Sequence, residues 1–455
     1  MIPAEFRERM KNIAKNDFEA LMSALNEPPV RGIRVNETKI STEDFLRLTD
    51  LSLSPIPYAP YGFIPEDSEG IGKRPEHHAG MYYVQDPGAM AALTALDIKP
   101  GWHVLDACAA PGGKSSQAAS LIGDDGLLFA NEFVPKRAKI ITANFERLGI
   151  KNAVVTSLDT SCFPDMFDSY FDLVLCDAPC SGEGMFRKYG EALTEWSLDN
   201  IRLCAGRQSD ILDNCAEAVK GGGYLLYSTC TFAPEENEYT VAGFLSRHPD
   251  FALVRVNDKL QSVTRDGIRV EGFPTELTRR FYPHLSKGEG QFVALMKRDE
   301  KHAKTPTILY NDASEAPSKT EISLVRKFFL DNMRTPPMGR IIKQGGGLAI
   351  IPDGLKMPPR SVFMAGVMIG EIRSGNLIPH HQLFSAYGRD FLRTESLSCG
   401  DERVGKYLHG EEIPAKEVTA SGYLAVLYEG IPLGGGKASS GMIKNHYPKG
   451  LRNTT

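Results

Sequence analysis

The stretch VLDACAAPGGKSS, residues 104–116, leads from an apolar segment that reads as a buried strand into one that reads as a helix. A turn between strand and helix suits a nucleotide or nucleoside, because unpaired N–H groups at the helix start converge on a bound ligand. Three readings compete. A phosphate loop of the form G-x-x-x-x-G-K-[ST] needs glycine five residues before Gly113, and that position is Cys108. A dinucleotide fingerprint needs G-x-G-x-x-G, which is absent. The third reading is an S-adenosylmethionine site, where the small residues Ala107, Ala109, Ala110, Gly112 and Gly113 let the ligand lie against backbone. Such a site also needs a carboxylate beyond the second strand to hold the ribose hydroxyls, and Glu132 in FANE occupies that place. Asp159, ending the third strand, is positioned to accept from the adenine amino group.

Outward from this turn, strands and helices alternate. The expected strands are 102–107, 126–132, 152–159, 171–179, 222–230, 251–256 and 291–298, with helices at 135–148 and 197–220. The strands are near-continuous apolar runs, as in parallel sheets covered on both faces. The fold expected is α/β: a Rossmann-like methyltransferase domain, preceded by a small N-terminal α/β domain and followed by a β-rich module. The expected divisions are an RNA-binding and substrate-pocket domain over 1–85, the catalytic domain over 86–300 and a polar linker over 301–320. An intermediate domain follows over 321–385, then the closing module over 386–455. Residues 1–25 read as helix, and Ser41 with Asp44 reads as a capped helix start.

Composition sets the class. The chain of 455 residues is 42% hydrophobic and 24% charged, as in ordinary globular proteins. It has no apolar run of about 20 residues, so no membrane association is expected. The first residues carry charges throughout and do not read as a signal peptide. Eight cysteines, several within apolar strands, fit a reduced cytoplasmic protein. CxxC pairs are absent and no metal is expected. Net charge is −5, yet residues 301–455 hold 20 Lys/Arg against 14 Asp/Glu. The closing segment, with Lys437, Lys444, Lys449 and Arg452, suits phosphate contact or is a solvated tail.

Two cysteines stand apart. Cys180 in DAPC and Cys230 in STC follow the fourth and fifth strands, which are neighbours in a doubly wound sheet, so both thiols should face one cleft. Pyrimidine C5 is too weak a nucleophile to take a methyl group from a sulfonium. A thiolate adding at C6 makes an enamine, and C5 then attacks. Asp177 is placed to act near N3, and a second thiol titrating near neutrality suits the release step. Cys108, Cys162, Cys176, Cys204, Cys215 and Cys399 read as packing. Arg187 and Lys188 read either as phosphate grips or as surface charges. Gln85 and Asp86 are candidates to line the pocket, His77 and His78 read as surface residues, and Glu235 and Glu236 as a helix start.

The words LDACAAPGGKS (105–115), DAPCSGEG (177–184) and YSTCTFAPEENE (227–238), with GMYYVQDPGAM (80–90), resemble the NOL1/NOP2/Sun group of RNA 5-methylcytosine methyltransferases. The resemblance spans about residues 80–298. It implies that Cys230 is the nucleophile and Cys180 assists release. A Pro-Cys reading borrowed from DNA cytosine methyltransferases would have chosen Cys180. It also implies that the cofactor, S-adenosylmethionine, lies on Ala107, Cys108, Ala109, Ala110, Pro111, Gly112, Gly113 and Lys114, with Glu132, Asp159 and Asp177, and with Arg137 at its edge. LGGGKASSGMIKNHYPKGLR (433–452) resembles the PUA-like domain closing the bacterial branch that acts on 16S rRNA, although a tryptophan would be expected within LGGGK. The partner implied is 16S rRNA or the small ribosomal subunit, with a monomeric enzyme. The alternatives are the same chemistry on tRNA, and an RNA-binding ribosome-assembly factor.

Overall fold

The central sheet is built from segments whose side chains are almost wholly buried. In chain order they are β1 (His103–Asp106), β2 (Leu127–Asn131), β3 (Ala153–Thr156), β4 (Phe171–Asp177), β5 (Val219–Thr229), β6 (Gln291–Arg298) and β7 (Val362–Ala365). In this computed structural model, which describes residues 2–453, they lie side by side as β6-β5-β4-β1-β2-β3-β7. β1 to β5 pair in parallel, while β6 and β7 join antiparallel at either side. Helices α1 (Gly113–Ile122), α2 (Pro135–Leu148) and α3 (Leu198–Ala216) connect strands and bury both faces. Strand order reverses between β1 and β4. A ligand crevice forms at the carboxyl ends of the strands there.

Some expectations need correction. Phe251–Leu253 pairs antiparallel with β6, off the main strand order. The segment read as a linker is docked: Thr307–Ile308 pairs with Phe167–Asp168, and Ile308 is buried. β7 belongs to the C-terminal third of the sequence yet covers the free edge of β3, which would otherwise expose unpaired backbone groups. A pairing across some two hundred residues leaves no local pattern to read.

The two ends of the chain meet. A four-stranded antiparallel sheet near the N-terminus, including Gly32–Val35 and Tyr82–Gln85, packs against the five-stranded C-terminal sheet through one core. Ile33, Phe45 and Tyr82 contribute from one side, Tyr407, Leu433 and Tyr447 from the other. His78, expected at the surface, bonds Tyr447 Oη at 2.7 Å and Asn453 Oδ1 at 3.0 Å across this junction. His77 is largely covered, and burial pulls its pKa down. Helices Ala4–Ala14 and Phe18–Ala24 replace the single helix expected, with a 3-10 turn between them. Ser41 caps its helix by accepting from the Asp44 N–H at 3.0 Å.

The missing tryptophan also has an explanation. A Cβ at Gly435 would stand 2.4 Å from the Phe384 ring, and at Gly434 2.5 Å from Tyr407 Oη. Phe384 and Tyr407 fill the space that side chains at these positions would need. Gly435→Ala should therefore destabilise the protein by roughly 1–3 kcal/mol, the usual cost of overpacking. Chemical denaturation followed at a C-terminal tyrosine environment would show it.

Candidate active site

β4 and β5 run parallel with Asp177 opposite Ser228, so the loops that leave them start side by side. Cys180 follows Asp177 by three residues and Cys230 follows Ser228 by two. Their sulfurs are 3.1 Å apart, and the Cys230 N–H donates to Cys180 Sγ at 3.3 Å. Both remain free thiols. The bond to Cys230 is the main cause, with burial second, that pushes the Cys180 thiol well above its ordinary value. A thiol near neutrality was expected here; the bond that stabilises its protonated form moves it the other way.

Asp177 faces the same cleft. Its Oδ2 accepts from Lys114 Nζ at 2.7 Å and its Oδ1 from Ser228 Oγ at 2.7 Å. Burial pulls the Lys114 ammonium down, but the Asp177 carboxylate outweighs it and the net shift is upward. Lys114 therefore holds its proton in a dry position, and with Asp177 it forms a charged pair at the strand-order reversal.

The turn after β1 fits a nucleoside. Gly112 has φ +105°, a left-handed conformation that favours glycine, and it opens α1. Ala107, Ala109 and Gly112 are buried, Ala110 and Gly113 half-buried, and Pro111 exposed, so the strip offers backbone rather than bulk. The Cys108 side chain turns inward to Cys176, so this residue presents main chain to the cleft. Glu132 is buried, and both of its protein bonds, from the Val134 N–H at 3.0 Å and Arg137 Nη1 at 3.3 Å, fall on Oε1. Its Oε2 is left for a diol. Arg137 also donates to the Ala110 carbonyl at 3.2 Å, joining the two sides of the pocket. Asp159 is exposed beyond β3, and bonds from the Ser161 N–H and hydroxyl hold its carboxyl below the usual range. A carboxylate with a free oxygen, a strip of small residues and a left-handed glycine fit S-adenosylmethionine.

Asp106 and Glu183 escaped the sequence reading, and the structure shows what several residues named there touch. Burial pushes Asp106 up to about 7, where it accepts from Ser115 Oγ at 2.6 Å and from the Cys108 N–H at 3.4 Å. Glu236, expected at a helix start, instead turns inward to Ser181 and Gln208; the helix begins at Glu238. Arg187 is internal, bonding Glu289 at 2.7 Å and the Gly288 carbonyl at 2.8 Å, which leaves the exposed Lys188 as the candidate for phosphate contact. Asp86 caps the helix Pro87–Ala91 and accepts from the Glu289 N–H at 2.9 Å. Gln85 holds Arg34 Nε at 2.9 Å while its own amide nitrogen stays buried and unpartnered. The exact i+3 spacing of Cys180 and Glu183 was visible, but only the loop fold shows what it does. Among the described residues, no group of His, Cys, Asp and Glu is arranged to hold a metal, and no helix is long and apolar enough to cross a membrane.

Sheet order, crevice and pocket define a Rossmann-like S-adenosylmethionine-dependent methyltransferase. Similarity to known proteins narrows the class. Residues 93–297 match the family of 16S rRNA methyltransferase RsmB/F, residues 2–87 the N-terminal domain of 16S rRNA methyltransferase RsmF, and residues 394–453 the methyltransferase RsmF PUA domain. The chain is 30% identical to ribosomal RNA small subunit methyltransferase F of Enterobacter sp. (strain 638), over 99% of this chain and 95% of that protein. The same holds for its namesake in Vibrio campbellii, at 30% identity over 99% and 97%. A methyltransferase homologue from Pyrococcus horikoshii superposes with TM-score 0.57 at 30% identity, covering 64% of this chain and 94% of that one. NSun6 from Pyrococcus horikoshii with SFG gives TM-score 0.55 at 23% identity over 65% and 98%, a likeness of fold. The chain belongs to the RsmB/F family of 16S rRNA methyltransferases and is an enzyme that uses S-adenosylmethionine.

Asp106 supplies a pH test. Its folded pKa is raised, so its contribution to stability is full below its unfolded value of 3.8 and is lost as pH rises through about 7. Asp106→Asn keeps the shape without the charge. Its stability relative to wild type should improve progressively across that interval, as read from denaturation midpoints at each pH.

Proposed function

We propose that this chain methylates carbon 5 of cytidine in 16S rRNA, in the cytoplasm, through a covalent bond between Cys230 Sγ and C6 of the base. The observation that carries the reading is the contact of two free thiols, 3.1 Å apart, beside the Lys114–Asp177 pair at the cofactor crevice. Methyl transfer to a good nucleophile needs no thiol, and activating a poor one needs a single thiol. Two in contact fit a reaction that must both make and break a bond to the base.

The cytidine leaves its stack, since a thiol cannot reach C6 of a paired base. Cys230 Sγ adds to C6 while its hydrogen passes by way of the Asp177 carboxylate to N3, the ring double bond shifts, and C5 becomes nucleophilic. Asp177 takes the N3 edge of the ring, with Lys114 holding its carboxylate in place. Bound S-adenosylmethionine supplies the methyl group. Backbone at Ala107–Gly113 and the carboxylates of Glu132 and Asp159 orient it, with Arg137 at the rim. Release then needs the C5 proton removed and the C6–S bond broken, which returns the electron pair to the sulfur.

Cys180 is suited to that last step. While Cys230 is free, the bond between the sulfurs keeps Cys180 protonated. Once Cys230 is bonded to C6 that bond is lost, and with it the largest cause of the raised pKa. Adduct formation thus removes one of the causes that hold the proton on Cys180, with burial remaining; Cys180 gives that proton to solvent and then, as a thiolate, takes the one on C5.

The test is covalent trapping. Wild type, Cys180→Ala and Cys230→Ala are incubated with S-adenosylmethionine and 16S rRNA, 30S subunits or tRNA, then resolved on denaturing gels. Cys180→Ala should accumulate an RNA-linked band on 16S rRNA or 30S subunits, and Cys230→Ala should give none. The reverse pattern would assign attack to Cys180. A band on tRNA alone would move the substrate, and no band with no methylation would favour an assembly factor.

A further inference from the structure

The two loops that carry the thiols are laced together by carboxylates with no part in the chemistry above. Glu183, three residues after Cys180, accepts from the Phe232 N–H at 3.0 Å, Thr231 Oγ1 at 3.1 Å and Trp196 Nε1 at 2.8 Å. Glu236, from the other loop, accepts from the Ser181 N–H at 2.9 Å and Gln208 Nε2 at 2.9 Å, and its Oε1 is in hydrogen-bond contact with the Ser181 hydroxyl. The Ser181 and Thr231 hydroxyl oxygens lie 2.9 Å apart. Each hydroxyl belongs to the residue immediately after a cysteine. An unbroken line, Glu236–Ser181–Thr231–Glu183, therefore crosses from one loop to the other directly behind the thiols.

Its protons can be counted. Three contacts need three hydrogens, and the two hydroxyls hold two. With both carboxyls ionised, each hydroxyl would turn to its own carboxylate and the two hydroxyl oxygens would face each other with no hydrogen between them. One proton on Glu236 completes the line: Glu236 donates to Ser181, Ser181 to Thr231 and Thr231 to Glu183. The surroundings agree. Burial raises both carboxyls, Glu236 to about 7. The titratable groups facing Glu236 are Glu183, Cys180, Cys204 and Tyr227, none a cation. Arg9, near Glu183, is paired with Glu235 at 2.8 Å.

We propose that Glu183 and Glu236 are positioning residues for the thiol pair, and that the line between them holds Cys180 against Cys230 only while it carries one shared proton. This rests on the two-cysteine reaction proposed above. The proton is lost as pH rises through the Glu236 titration, and the hold loosens there.

The test compares the full chain with Glu236→Ala, Ser181→Ala and Glu236→Gln, the last placing a permanent amide donor where the proton sits. One readout is kcat and KM for methylation of 16S rRNA or 30S subunits at several pH values. The other is the rate at which diamide, reduced to its hydrazine as it takes both thiol hydrogens, closes a Cys180–Cys230 disulfide scored by peptide mass. Glu236→Ala and Ser181→Ala should lose kcat by roughly 100-fold with little change in KM, since small misplacements of reacting groups have effects of that order. Both should close the disulfide more slowly. Glu236→Gln should keep kcat and disulfide closure, and its kcat relative to wild type should rise as pH passes 7. Glu236→Gln matching Glu236→Ala, or wild-type disulfide closure in Ser181→Ala and Glu236→Ala, would overturn the proposal. Slowed closure together with no C5 methylation by any of the proteins, wild type included, would support the proton line and overturn the proposed reaction alone.

Discussion

Asp177 stands opposite Ser228 where two parallel strands pair, and the rest of the site depends on that register. The side-chain bond between them, 2.7 Å long, marks the last point at which backbone pairing governs distance. Three residues further along one strand, and two along the other, the cysteines meet. A slip of one residue would turn every side chain of either strand to the opposite face. Buried surroundings forbid that slip, because β4 and β5 contribute to apolar cores on both sides of the sheet.

Beyond the strands the ladder ends; one backbone bond, from the Gly184 N–H to the Cys230 carbonyl at 2.9 Å, still joins the loops, and polar side chains supply the rest. Glu183 and Glu236 bind the N–H groups of the facing loop, and Arg280 is buried against Glu238 and the Phe232 carbonyl at 2.7 Å. Such groups are costly to bury without partners and rigid once satisfied. Outside them, Phe6, Met10 and Leu21 of the N-terminal helices pack against Phe186, Phe232 and Tyr282. The N-terminal domain thereby buttresses both cysteine loops while its sheet shares a core with the C-terminal module. The N-terminal, catalytic and C-terminal parts are thus packed against one another around the cleft.

Much of this was legible in the residues. The strand–turn–helix at 104–116, five parallel strands, helix 135–148 at its observed bounds and the neighbouring cysteine strands all follow from local apolar runs and turn chemistry. Local pattern failed where a long-range partner decided the outcome. Arg187 looks like a surface cation until Glu289 is brought to it, and Glu236 like a helix-start acid until Ser181 is. His78 reads as exposed until Tyr447 and Asn453 arrive from the far end of the chain.

The sequence by itself determined the fold class, the place of the crevice and the residue types that face it, because period, small residues and strand-end acids are local properties. The tertiary structure alone decided which groups touch. It set the 3.1 Å contact of the thiols, the Lys114–Asp177 pair, the contact of the Ser181 and Thr231 hydroxyls behind the cysteines and the closure of the sheet by β7. Each of these depends on distances between segments far apart in sequence, on the Cys230 bond that with burial raises the pKa of Cys180, and on the burial that raises Asp106 and Glu236. Neither distance nor burial is a property of any short stretch of chain.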